Sequence, residues 1–128
     1  MIQRITVCLP PVTKKNSQRI LRAGSRLFIA PSAKYTEYER DVLKALTAAG
    51  VKPWGGALPV NVKAVFYMPS RRAVDLTNLL EAIDDILVRA HVLSDDSWQY
   101  IAGHDGSRVR YDKICPRTEI EISEEVGL

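Results

Sequence analysis

Carboxylates are concentrated in one segment of this 128-residue chain. Between positions 75 and 96 a single arginine, Arg89, accompanies six acidic residues: Asp75, Glu81, Asp84, Asp85, Asp95 and Asp96. Mg²⁺ prefers oxygen ligands and usually takes one or two protein carboxylates, while waters and substrate phosphates complete its shell. The segment is therefore a candidate site for metal-assisted hydrolysis of a phosphodiester, with Asp75 and the Asp95-Asp96 pair as the first candidate ligands.

Basic residues precede the acidic segment, and they could bind the phosphates of a nucleic-acid substrate. Positions 10–31 hold five cations and no carboxylate, and Arg71 and Arg72 directly precede Asp75. A polyanion would bind the basic residues but would be repelled by the carboxylates, unless bound cations reversed their field. The residues expected to contact phosphates are Lys14, Lys15, Arg19, Arg22, Arg26, Arg71 and Arg72. From charge alone, ordinary solvated faces are an equal alternative.

The acidic residues also have structural interpretations. Asp75 stands where a helix cap is needed, and Asn78 with Glu81 fits the spacing of a capping box. The pair at positions 95–96 fits a polar turn. Asp84 and Asp85 are expected on a solvated helix face. The residue types alone leave these alternatives open.

Composition indicates one globular domain over residues 1–128. Hydrophobic residues make up 46% and charged residues 26% of the chain, and the net charge is +3. These values are typical of a soluble fold and exclude a disordered or fibrous chain. No apolar run approaches the roughly 18 residues of a membrane span. The start of the chain lacks the pattern of a secretory signal, so we expect a cytoplasmic protein without a membrane partner.

Several other chemistries lose support. The sequence has no phosphate-binding loop, no dinucleotide-binding glycine motif and no nucleophile elbow, so no nucleotide cofactor is expected. Cys8 and Cys115 lie beside apolar residues and are expected to be buried free thiols. The two cysteines and the two histidines, His91 and His104, do not have the close spacing in the sequence that is typical of zinc sites.

Hydrophobic periodicity predicts an alternation of strands and two amphipathic helices. The predicted strands cover 2–9, 60–68, 98–102 and 117–123, a hairpin covers 21–29, and the helices cover 31–50 and 76–90. In the second helix, Asn78, Glu81 and Asp85 fall on the side opposite the apolar stripe, at about 100° per residue. The pattern predicts an α+β fold whose second helix exposes an acidic ridge.

The residues around the acidic segment resemble the RusA-type Holliday junction resolvases. The similarity is most specific in the run from Met68 to Leu79, MPSRRAVDLTNL, which is followed by the helix and by Leu-Ser-Asp-Asp at 93–96. Pro10-Pro11 and the Lys-Lys-Asn-Ser run at 14–17 also resemble the start of that family. The resemblance thus spans nearly the whole chain.

The resemblance implies a small α+β homodimer with a mixed sheet. It also implies a structure-selective endonuclease that makes paired, symmetric nicks across a four-way DNA junction, in recombination or repair and often encoded by a phage or prophage. Asp75 and Asp96 match the residues that bind the catalytic metal, with Asp95 adjacent. The implied cofactor is Mg²⁺, with Mn²⁺ as the alternative ion.

Two positions depart from the family pattern. Thr77 stands where the family has its second aspartate, and Glu81 stands where it has a lysine. Because residues four apart share a helix face, we hypothesise that Glu81 supplies the carboxylate that Thr77 lacks. In this interpretation Thr77 and Asn78 support the site structurally. The alternative is a protein that binds branched DNA with little or no cleavage.

Overall fold

A computed structural model describes residues 1–14, 19–30 and 32–125 of the chain, and confirms the α+β class. In chain order the elements are β1 (Ile2–Val7), β2 (Arg19–Ala23), β3 (Arg26–Ala30), α1 (Ala33–Ala48), β4 (Val60–Met68), α2 (Leu76–Arg89), β5 (Ile101–Gly103), β6 (Arg108–Tyr111) and β7 (Arg117–Glu124). Neither described helix is long and apolar enough to cross a membrane.

The main sheet is mixed, as the family resemblance implies. Strand β7 lies between β1 and β4 and is antiparallel to both. Strands β5 and β6 both pair with β4 in the parallel sense, β5 near its start and β6 near its end. The β4–α2 connection and the segment between β5 and β6 are therefore held to the same central strand.

The core lies between the sheet and the two helices. Alternate residues of β4 are buried, including Val62 and Phe66, and Ile120 and Ile122 of β7 share this environment. The stripe of α2 predicted from its periodicity is buried as well: Leu79, Leu80, Ile83, Ile86 and Leu87. Burying each such side chain contributes about 1.5–3 kcal/mol, so α2 is held firmly against the sheet.

Helix α1 begins and ends where its sequence indicates. The Oγ of Ser32 accepts a hydrogen bond from the backbone N–H of Tyr35 (3.1 Å), which caps the first turn. Tyr35, Tyr38 and Val42 lie at helical spacing and are buried. Gly50 follows the helix with φ +67°, the left-handed conformation that glycine adopts without strain.

The predicted strand at 98–102 is displaced by a turn. The backbone N–H groups of Tyr100 and Ile101 both donate to the carbonyl oxygen of Ser97, at 2.8 and 2.9 Å, so β5 begins only at Ile101.

The sequence pattern also missed β6. All four of its residues are exposed, so burial gives them no alternating hydrophobic pattern.

Both cysteines are exposed, so the expectation of buried thiols is wrong. Cys8 follows the last residue of β1, which ends two residues earlier than predicted. Cys115 lies in the turn before β7, where the Asp112 carboxylate accepts hydrogen bonds from the N–H groups of Ile114 and Cys115. The apolar neighbours of these cysteines do not draw them into the core.

Candidate active site

Asp75 occupies the N-cap position of α2, but its side chain does not cap the helix. Its Oδ2 instead accepts a hydrogen bond from Nδ2 of Asn78 (3.3 Å), and the residue is exposed. Asn78 lies within the first turn rather than at the cap, so the capping-box interpretation of Asn78 and Glu81 is wrong. The Asp75 carboxylate therefore does not stabilise the first turn of the helix by capping its backbone N–H groups.

The acidic ridge of α2 is exposed in the N-terminal half of the helix, and its next acidic residue, Asp85, is in an ion pair. Thr77 and Glu81 lie one turn apart and are both exposed. Asp85 is half-buried and forms an ion pair with Nζ of Lys14. One of the predicted phosphate-binding cations is thereby engaged with α2 and ties the segment after β1 to this helix.

The chain directly after α2 is hydrogen-bonded to the C-terminal end of that helix. Val92 and Leu93 are buried, and both of their N–H groups donate to the carbonyl oxygen of Leu87, at 3.0 and 3.3 Å. The chain then exposes Asp95 and Asp96. The charge of Asp96 contributes to raising the pKa of Asp84 on α2.

Asp84 is buried, and its assignment to a solvated face is wrong. Its Oδ2 lies 2.8 Å from Nε2 of His104 in the segment between β5 and β6, which covers this side of α2. Among the described residues, its buried Oδ1 has no hydrogen-bond partner. Burial raises the pKa of Asp84 and the hydrogen bond from His104 opposes that shift, while Asp96 and Asp85 reinforce it.

The pairing of Asp84 with His104 should make stability depend on pH. The hydrogen bond to Asp84 raises the pKa of His104 above its ordinary 6.5. The resulting stabilisation is fully present below about pH 6.5 and is lost as pH rises through the higher folded-state pKa. We expect His104→Gln to cost about 1 kcal/mol more at about pH 6 than at about pH 9, measured by urea unfolding. His91→Gln, at an exposed histidine, is the control, and equal costs at both pH values would contradict the expectation.

The expected ligands fit a hard cation in their chemistry. Asp75, Glu81, Asp95 and Asp96 are carboxylate residues that are all exposed. Within the described ranges no three or more acidic, histidine or cysteine side chains form a group that could hold a metal ion. Mg²⁺ needs only one or two protein carboxylates, so a single residue or a pair from this set would suffice to hold it.

A basic groove of about 310 Å³ lies between the segment after β1, the start of α1 and the β4–α2 connection. Its cations are Lys34 and Arg72, and Arg72 precedes Asp75 by three residues. Beside it, the Arg71 guanidinium stacks 4.4 Å above the ring of Tyr111 on β6. Sequence reasoning missed Lys34, because the predicted helix gave it no role beyond solvation.

The other predicted phosphate contacts belong to the first part of the chain. Arg22 and Arg26 are exposed on the β2–β3 hairpin. Arg19 belongs to β2, but its side chain and the whole of Lys15 lie outside the described residues.

A family model described as endodeoxyribonuclease RusA matches residues 9–123. The chain belongs to the RusA endodeoxyribonuclease family. The match includes the basic groove, all of α2 and the Asp95-Asp96 loop, and it confirms the resemblance found in the sequence. A search of the curated proteins gives no match.

Membership of the RusA family gives the site its activity class. The family comprises nucleases that resolve Holliday junctions, so the substrate class is branched DNA. A groove that carries cations and ends one residue before the exposed Asp75 agrees with that class, because a nuclease must bind phosphates and activate one of them.

Proposed function

We propose that this RusA-family chain is a Mg²⁺-dependent endonuclease that resolves four-way DNA junctions by paired, symmetric hydrolysis of phosphodiesters. The observation that carries the proposal is the Asp75 carboxylate, which stands exposed at the start of α2 without capping it. It adjoins a basic groove within the segment that the family model matches. The setting is recombination or repair in the cytoplasm of a bacterial cell, with the gene carried by a phage or prophage.

The residues proposed to hold the metal are one or two of Asp75, Asp96, Asp95 and Glu81, with Glu81 replacing the carboxylate that Thr77 lacks. A bound Mg²⁺, or Mn²⁺ in its place, would supply polarisation of the scissile phosphate and a lowered pKa of an attacking water. Asn78 orients Asp75 through its hydrogen bond. Burial of Val92 and Leu93 fixes the start of the loop that presents Asp95 and Asp96.

The basic residues bind and orient the DNA. Lys34 and Arg72 in the groove, with Arg71 beside it, would contact phosphates flanking the scissile bond. Stacking on Tyr111 limits the motion of Arg71, which lowers the entropy cost of holding a phosphate. We propose a homodimer, because a two-fold axis would place one site on each of two symmetric strands of the junction.

The salt dependence of binding provides a test of the groove. We expect Arg72→Gln to reduce the slope of log K against log salt by about 0.9 on duplex arms, the contribution of one neutralised phosphate. Arg40→Gln, at an exposed arginine of α1 outside this groove, is the matched control and should keep the wild-type slope. Identical slopes for the two variants would remove Arg72 from the DNA interface.

A second candidate is a branched-DNA binding protein with little cleavage activity. It is favoured by Thr77, which places an exposed hydroxyl where the family supplies a carboxylate. The two candidates share the DNA interface and differ only in catalysis.

The discriminating experiment incubates purified protein with a labelled four-way junction and with a linear duplex of matched sequence. Each is tested with Mg²⁺ and with EDTA at low and moderate salt. Nicks on the junction only, and only with metal, would support the nuclease. Tight binding to the junction with no nicks under any condition would favour the binding protein and overturn the catalytic proposal.

A further inference from the structure

The β2–β3 hairpin forms a two-stranded sheet of its own. Its register pairs Ile20 with Ile29, Leu21 with Phe28 and Arg22 with Leu27. Neither strand is hydrogen-bonded to any described strand of the main sheet. Two-stranded hairpins are marginally stable in water unless another surface covers them. A segment of this kind therefore indicates a binding partner.

One face of the hairpin is aliphatic. Cross-strand partners point to the same side of a sheet, as do residues two apart, so Ile20, Leu27 and Ile29 share a face. They are 73%, 60% and 70% exposed. We call these three side chains the aliphatic face. Large apolar side chains grouped at the surface mark an interaction site.

The charges on the hairpin select the kind of partner. Residues 19–30 include three arginines and no carboxylate. Arg22 lies on the side of the aliphatic face, and Arg26 lies on the opposite side near the turn. Symmetric pairing of two hairpins through this face would bring arginines together without counter-charges, which costs free energy. A polyanion instead neutralises them and releases counterions.

We infer that the hairpin is a wedge that inserts its aliphatic face among the bases at the branch point of junction DNA, while Arg22 and Arg26 hold the flanking phosphates. The inference rests on the proposed function and names the element that opens the substrate. Apolar side chains inserted between bases unstack them at a cost of a few kcal/mol per step, and that cost is smallest where pairing is already interrupted. A branch point meets this condition, whereas a linear duplex does not.

The test places 2-aminopurine, whose fluorescence rises on unstacking, at the branch point of a four-way junction in EDTA. The full-length protein is compared with the double variant Ile20→Ser, Ile29→Ser. Ile114→Ser is the matched control, because Ile114 is 96% exposed but lies in the turn before β7. Junction affinity, circular dichroism and sedimentation are measured for all three proteins.

We expect the wild type and Ile114→Ser to raise the fluorescence equally. The double variant should lose most of that rise but keep its fold, its oligomeric state and an affinity within about tenfold of the wild type, since its arginines are intact. An undiminished rise in the double variant, or a change in its oligomeric state that assigns the face to a second copy, would overturn the inference. So would a wild type that cleaves the junction with Mg²⁺ without raising the fluorescence, although the proposed function would then stand. A wild type that does not bind junctions would overturn both.

Discussion

Asp75→Asn should lower Mg²⁺-dependent junction cleavage by at least about 10³-fold, because a metal ligand contributes several kcal/mol to stabilising the transition state. Binding to the junction in EDTA should be unchanged or tighter, because the substitution removes a negative charge that repels phosphate. Single-turnover cleavage and equilibrium binding measure the two quantities separately.

Stability measurements separate this role from a structural one. Asp75 is exposed and its side chain makes no cap hydrogen bond, so the unfolding free energy should change by less than about 0.5 kcal/mol. Asp41→Asn makes the same chemical change on α1 and should leave cleavage intact. An Asp75→Asn protein that unfolds, or that cleaves normally, would contradict the assignment of Asp75.

Glu81→Gln should also abolish Mg²⁺-dependent cleavage, with a loss of at least about 10²-fold and unchanged DNA affinity. The reason is the exposed face that Glu81 shares with Thr77, one turn apart on α2. If Glu81 supplies the carboxylate that the family carries at position 77, losing it leaves that face without an acidic ligand. Cleavage rates over a range of Mg²⁺ concentrations measure both the loss and the metal requirement.

A second substitution makes the interpretation of Glu81 sharper. Thr77→Asp in the Glu81→Gln background should restore cleavage, because it returns a carboxylate to the position where the family has one. The single variant Thr77→Asp is the control for any effect of the added charge alone. Unchanged cleavage in Glu81→Gln would contradict the replacement hypothesis and leave Asp75, Asp95 and Asp96 as the proposed ligands.

Local patterns predicted the parts of this fold that local forces determine. The apolar stripe of α2, the alternation in β4 and the turn at Gly24 all produced the expected elements. Exposure of Glu81 also followed from its angle on the helix. In each case the residues that decide the structure lie within a few positions of one another.

Features that depend on distant packing could not be predicted. The charge of Asp84 indicates a solvated side chain, yet the β5–β6 segment covers it and supplies His104 as its partner. That contact exists only because β5 and β6 both pair in parallel with β4. The pairing of Lys14 with Asp85 likewise joins residues far apart in the chain.

The candidate site also combines features that the local sequence indicates with features that depend on tertiary contacts. Residue types and spacing identified the carboxylates at 75 and 95–96 and the arginines at 71–72 as candidates, and the structure leaves all of them exposed. The groove that adds Lys34 to Arg72 forms where three separate segments meet, so its composition depends on tertiary structure. The start of the Asp95-Asp96 loop is likewise fixed by the burial of Val92 and Leu93 in the core.

Mapping the nicks on all four strands of a junction tests the proposed resolvase most directly. Each strand is end-labelled in turn, and the wild type is compared with Asp75→Asn in Mg²⁺. We expect the wild type to cut two opposing strands at positions related by the two-fold axis of the junction, and the variant to cut none. Cuts at unrelated positions, cuts that persist in the variant, or binding without cuts would contradict a paired, metal-dependent resolvase centred on Asp75.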